Sequence, residues 1–399
     1  MRENRVKIRK LNIFLVILAL ACLLAAGGCG DASQMKSAAD QVRKKLIGDN
    51  TLVVDSISED KYAYQTLDEE TKKVYDTVVY TIMNREANVQ IATTDLETME
   101  LAYQAVRYDY CEFFWVEKLN YVTYTRDNEI TAIEISPVYT MSETEQEQTQ
   151  RQIDQEVERM LAGAPADGSD FDRALYVYET LINDVDYVLD SENNQNIISA
   201  FINHETICQG YAYATQYLLE RLGIPCTTVT GDARGENHAW NLVQMDGEYY
   251  YIDTTWGNSQ YMYQNDQSEE VSGNTDAFKF LDYDYFGATT ETILKTHTPD
   301  SGIPLPECTA VKDNYFIHQG LYVDSWDVNR IGGIIESAYD TGQTTVQIKF
   351  SNVELCEQAM QYFVENGHLF DYCTGLESVQ YLENSENAVM VLLFPANET

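Results

Sequence analysis

Basic residues are scarce in this sequence. Lys and Arg number 26 against 64 Asp and Glu, a net charge of −38 over 399 residues. A surface of that sign repels nucleic acid and anionic membranes, so no nucleic-acid partner is expected. No Cys-x-x-Cys pair occurs, which argues against a structural zinc site. No Asp-rich loop of calcium-binding type is present either. Neither a metal nor a cofactor is therefore expected. Internal repeats and low-complexity tracts are missing, which excludes a repeat array. Long apolar runs are missing too. The best stretch, Ile13 to Leu24, is too short to span a bilayer comfortably.

What is present is a globular composition, 44% apolar, in a chain long enough for two or three domains. The N-terminus stands apart. Arg2, Arg5, Lys7, Arg9 and Lys10 precede the apolar run. Ala25, Ala26, Gly27 and Gly28 follow it, and then Cys29. That order reads as a secretory signal peptide over 1–28. The junction resembles a bacterial lipobox, with Ala26 where Leu is more usual. Cys29 would then carry a lipid that holds the protein on the outer face of the cytoplasmic membrane. Removing residues 1–28 leaves 21 basic and 63 acidic residues, a net of −42, so attachment must come from the lipid. Six further cysteines (Cys111, Cys208, Cys226, Cys308, Cys356 and Cys373) have no regular spacing. They leave room for one or two disulfides outside the cell without assigning a pairing.

Residues 29–48 read as a tether. An N-terminal α/β unit is expected over 49–165, a central domain over 166–300 and a small C-terminal α/β unit over 301–399. In the first, Thr66-Leu67-Asp68-Glu69 fits a capping box before a helix carrying Val74, Val78 and Ile82. Tyr121 to Thr125 and Ile130 to Ile135 alternate around Arg126-Asp127-Asn128, which predicts a hairpin. Ser142 and Glu145 cap a second helix that runs to Leu161. Near the C-terminus, Val328 to Tyr339 and Val353 to Asn366 read as helices. Val346 to Phe350 and Ala388 to Phe394 read as strands.

The segment from Cys208 to Trp256 carries the chemistry. Tyr211, Ala214, Leu218 and Leu222 fall on one helical face, ended by Gly223 and Pro225. Cys208 thus sits at a helix N-terminus, where unpaired amides and the dipole favour an anion. A thiol there loses its proton more readily, and the thiolate is the nucleophile. Next come a strand from Cys226 to Gly231 and a hairpin, His238 to Met245 with Glu248 to Thr255, around Asp246-Gly247. If Met245 faces Glu248, Trp240 faces Asp253 and His238 faces Thr255. His238 and Asp253 then share a face as diagonal neighbours, roughly 7–8 Å apart at the backbone. Asp253 could orient the His238 ring, and His238 could take the Cys208 proton.

Cys208-Gln209-Gly210-Tyr211-Ala212, Asn237-His238-Ala239-Trp240-Asn241 and Tyr251-Ile252-Asp253-Thr254-Thr255-Trp256 together resemble the transglutaminase-like superfamily. The order Cys, His, Asp and the gaps of 30 and 15 residues agree with its compact bacterial members. The resemblance covers roughly one domain's worth of chain. It implies an α+β, papain-like core with the nucleophile helix packed on an antiparallel sheet. It implies Cys208 as nucleophile, His238 as general base and acid, and Asp253 as the residue that orients His238. The calcium dependence of animal transglutaminases is not expected.

Singly, each residue has a structural reading: a buried small thiol, a satisfied core histidine, a strand-end cap. All three in order, on the right elements, favour catalysis. The expected reaction is acyl transfer through a Cys208 thioester, as a peptidase or amidase on protein or cell-wall peptide. A cross-linking transglutaminase is the alternative, because the triad does not choose the acceptor. A cell-surface binding or assembly module is a third reading. The oxyanion donor stays open between the Cys208 amide, Gln209 and Trp240. Tyr187 and His204 are weaker cleft candidates, and His297, His318 and His368 have no partner assigned. Oligomeric state is not readable.

Overall fold

The computed structural model describes residues 56, 58–258 and 280–395. The signal segment, Cys29 and the tether lie outside the described residues. The chain divides into two compact units, one ending at Gln146 and the other beginning at Glu147.

In the first unit, α1 (Tyr62–Thr66), α2 (Glu69–Met83) and α3 (Leu96–Asp109) accompany a three-stranded sheet. Its order is β1 (Val89–Gln90), β3 (Glu129–Tyr139), β2 (Val116–Arg126). The expected hairpin is present and longer than its apolar alternation. Asp127 and Asn128 make its turn with positive φ, a conformation short polar side chains tolerate. The cap of α2 differs from expectation. Asp68, not Thr66, accepts from the Thr71 amide, because Thr66 is spent ending α1. Buried Asp109 accepts from the Ala63 and Tyr64 amides and the Tyr75 hydroxyl, which pins α1 to α3. Burial lifts its carboxyl to about 6 despite those donors.

The second unit starts within α4 (Glu143–Leu161), where Ser142 and Glu145 form the expected reciprocal cap. The helix α5 (Asp170–Asp184) follows, with a capping box of Ser169 and Asp172. A parallel pair, β4 (Asp186–Tyr187) and β5 (Glu205–Thr206), leads into α6 (Cys208–Arg221). Five antiparallel strands form the central sheet: β10 (His297–Pro299), β6 (Cys226–Ala233), β7 (Glu236–Met245), β8 (Glu248–Ile252) and β9 (Phe286–Ala288), in that order. Asp246 and Gly247 both take positive φ in the β7–β8 turn, as a tight two-residue hairpin requires.

The sequence pattern suggested one buried face for α6, yet Gln209 to Leu219 are buried all round. The helix is held on the sheet by polar clips as well as apolar packing. Asn241 Nδ2 of β7 donates to the Ala212 carbonyl at 3.0 Å. Thr228 of β6 donates to Gln216 Oε1 at 2.8 Å. Thr215 and Thr254 share a hydroxyl contact at 2.7 Å. Each is worth about 0.5–1.5 kcal/mol net, and together they fix the helix's rotation. This mixed architecture, with the Cys208 helix packed on an antiparallel sheet, is the α+β core expected.

Gly210 lies in the first turn of α6 against β5. A Cβ there would meet Thr206 Oγ1 at 1.8 Å and Ser199 Oγ at 2.9 Å. Gly210→Ala should therefore destabilise the protein by about 1–3 kcal/mol, overpacking outweighing alanine's better helix propensity. Thermal melting of the variant tests this, and a melting temperature at or above wild type would refute it.

After α7 (Thr254–Gly257), α8 (Thr290–Ile293) and α9 (Tyr315–His318), the chain forms a second sheet. Its order is β11 (Tyr322–Val323), β12 (Thr345–Phe350), β14 (Val389–Leu393), β13 (Gln380–Asn384). The helices α10 (Val328–Asp340) and α11 (Val353–Ala359) accompany it, the latter continuing as a π-helical turn to Glu365. Ile348, Met390 and Leu392 join the core with Ile331, Ile335 and Phe363. Val389, Val391 and Leu393 pack with Phe280 and Phe316 instead. Because β14 is buried on both faces, it is apolar at every position.

Candidate active site

Cys208 is the first residue of α6, preceded by Ile207, which offers no side-chain cap. The thiol is partly exposed, whereas the other five described cysteines are buried. None of the six is in a disulfide. His238 lies near the start of β7 and is only 6% exposed. Its Nε2 lies 2.8 Å from Asp253 Oδ2. Cys208 is near enough to the ring to favour its protonated form. With Nε2 committed to the carboxylate, Nδ1 is the nitrogen left to face the thiol.

The hairpin register holds from Met245↔Glu248 through Asn241↔Ile252, as its turn dictates. It stops there, and this corrects the expected pairing. Trp240 does not face Asp253, nor His238 Thr255, because β8 ends at Ile252. Asp253 is instead the N-cap of α7. Its Oδ1 accepts from the Thr255 amide at 3.0 Å and the Trp256 amide at 3.1 Å. The cap costs the pair nothing, since it uses one oxygen and leaves Oδ2 for the imidazole.

Electrostatics follow from this. Burial alone would raise the Asp253 carboxyl, but the charges and hydrogen bonds of two histidines hold it well below the usual carboxylate range. Burial alone would lower His238. The Asp253 charge, that hydrogen bond and Cys208 reverse the effect and lift the ring to about 10. An imidazolium flanked by a carboxylate and a sulfur is the outcome.

The second histidine is His297, fully buried on β10, with Nε2 3.1 Å from Asp253 Oδ2. Sequence reasoning gave it no partner. Its distance along the chain and the absence of a motif around it left no local signal. His238, Asp253 and His297 bring their ring nitrogens and carboxylate oxygen within 4.8 Å of one another. The two short contacts, 2.8 and 3.1 Å, are of hydrogen-bond length. Trp240 and Trp256 are buried in the core, and they also wall the pair. Trp256 lies 5.6 Å from the His238 ring and 4.5 Å from His297. Among oxyanion candidates, Gln209 Nε2 and Trp240 Nε1 are buried N–H donors with no acceptor. The structure does not bring the other histidines here. His204 Nε2 is 3.8 Å from a Glu156 carboxylate oxygen, His318 stacks on Phe171, and His368 pairs with Asp371. Tyr187 belongs to the short strand β4.

Cys208 is thus a partly exposed thiol at a helix start, beside a buried histidine–carboxylate pair. Residues 156–254 match the family model for the Transglutaminase-like superfamily, a span that contains Cys208, His238 and Asp253. The chain therefore carries a transglutaminase-like domain.

Among particular proteins, it is similar to the kyphoscoliosis peptidase of Mus musculus, 28% identical over 110 residues. That match covers 24% of this chain and 15% of the mouse protein. The Homo sapiens kyphoscoliosis peptidase is 24% identical over 182 residues, covering 41% of this chain and 25% of that protein. The matches thus span a quarter or less of these relatives. A solved structure described as a TGase superposes at 13% identity and a TM-score of 0.27, over 42% of this chain and 50% of that one.

Proposed function

We propose that this protein is an extracytoplasmic cysteine peptidase or amidase acting on protein or cell-wall peptide. The carrying observation is the Cys208–His238–Asp253 arrangement at the start of α6. In this reading the Cys208 sulfur attacks an amide carbonyl. The carbon–nitrogen bond breaks, and the amine leaves with a proton from His238. Water then adds to the thioester while His238 takes its proton. The carbon–sulfur bond breaks, releasing the acid and restoring the thiol. The curated relatives are named peptidases, which supports water as acceptor. A secretory signal over 1–28 and a lipid at Cys29 would place the enzyme on the outer membrane face.

Incubating the purified protein with a peptide library and a labelled primary amine tests the reading. Cleaved peptides are expected. Amine incorporation without cleavage would replace the hydrolase by a cross-linking enzyme. No product from either the wild type or Cys208→Ala would sink the enzyme and leave a binding module. Mass analysis of the native N-terminus, with Cys29→Ser as control, tests the anchor.

A further inference from the structure

Asp253 has more partners than orienting one histidine requires. A carboxylate offers about four lone-pair positions. Here all four are taken, two by the Thr255 and Trp256 amides, one by His238 and one by His297. The carboxylate is fully buried, so no solvent could replace a missing donor.

His297 is itself fixed from behind. Its Nδ1 lies 2.7 Å from Thr296 Oγ1, and that hydroxyl lies 2.9 Å from the Tyr285 hydroxyl. The carboxylate only accepts, so the His297 Nε2–H donates to it. Nδ1 is held by the Thr296 hydroxyl, which is held in turn by the Tyr285 hydroxyl. Both ring nitrogens are therefore engaged, which fixes the ring's orientation as well as its place. Tyr285 is joined to Asp253 a second way, its carbonyl accepting the Asp253 amide at 3.1 Å.

The backbone is arranged to admit this ring. Its strand β10 pairs with β6 in the register His297↔Ala233. At Gly231 of β6, a Cβ would lie 2.2 Å from the Thr298 carbonyl and 2.9 Å from the Trp240 ring. Only glycine lets β10 dock this closely. The charged and titratable groups around His297 are His238, Asp253 and Tyr285. Arg234 stands beyond Trp256, 4.9 Å from that ring and paired with Glu386.

We infer that His297 is a positioning residue for the triad, itself fixed by the hydrogen-bonded Tyr285–Thr296 pair and holding the Asp253 carboxylate in the orientation that His238 needs. Any buried histidine needs its ring N–H satisfied; what sets His297 apart is that its partner is the same carboxylate oxygen that His238 uses. The inference rests on Cys208, His238 and Asp253 working together, and it needs no commitment on substrate or acceptor.

The test is the rate of Cys208 alkylation by iodoacetamide at neutral pH, with thermal melting alongside. His297→Phe keeps the ring's bulk and removes the donor. His297→Gln keeps an N–H at similar reach. The Phe variant should label about 10–100-fold more slowly, by analogy with the loss of an outer-shell hydrogen-bond partner behind a metal-bound histidine. The Gln variant should recover most of that rate. Phe and Gln variants labelling at the same rate, whether fast or slow, would overturn the inference. If His297→Phe does not fold, Thr296→Val carries the test. Slower labelling is expected there, and a wild-type rate overturns it. The broader reading fails separately, when His238→Ala labels as fast as wild type.

Discussion

Asp253→Ala is expected to cost stability and activity together. The substitution removes the cap of α7 and leaves two buried histidines without their shared acceptor. Breaking a buried ion pair by deleting one partner costs about 3–5 kcal/mol, because the remaining charge is stranded. Asp253→Asn separates the two roles. Its carbonyl oxygen can still accept from Thr255 and Trp256, while its amide nitrogen cannot accept from His238. The Asn variant should recover the cap's share, about 1 kcal/mol, yet stay as inactive as the Ala variant. Chemical denaturation and peptide turnover on both variants check this. An Ala variant as stable as wild type would show that the buried pair is not what holds α7.

The second large effect is at His238. In the proposed mechanism His238 is the general base, and losing such a base costs about 10²- to 10⁴-fold in rate, so His238→Ala should fall in that range for turnover and slow Cys208 labelling. The labelling is readable against a quiet background. Burial raises the Cys308 and Cys373 thiols to about 11 and Cys356 to about 12. A pH signature accompanies the rate. The folded ring titrates at about 10 against 6.5 for the free side chain. A group raised in this way binds its proton more tightly when folded. Its contribution is therefore full below about 6.5 and is lost as pH rises through about 10. Wild type should lose stability relative to His238→Ala across that window, measured as melting temperature against pH. Parallel curves would mean that the ring is not charged in the folded protein.

Much of the site is legible in the sequence because its signals are local. Asp246-Gly247 demands a tight turn, and the turn fixes the β7–β8 register residue by residue. The helical face of Tyr211, Ala214 and Leu218, closed by Gly223, fixes where α6 begins, and so places Cys208 at its start. The cap of α2 falls to Asp68 rather than Thr66 because the short α1 ends at Thr66. A five-residue helix leaves too faint a periodic trace to compete with a capping motif.

The sequence by itself therefore determined the identity and order of Cys208, His238 and Asp253, the helix start and the hairpin turn. Tertiary structure alone decided how Asp253 is used. The strand ends at Ile252, three residues short of Thr255, because the backbone turns to let the carboxylate cap α7 while its other oxygen meets the imidazole. It also decided that His297, 44 residues from Asp253, lands on that same oxygen. The physical reason is range. Turns, caps and periodicity act between near neighbours and mark the residues that make them. The docking of an edge strand onto a glycine in another strand leaves no such mark until the sheet closes.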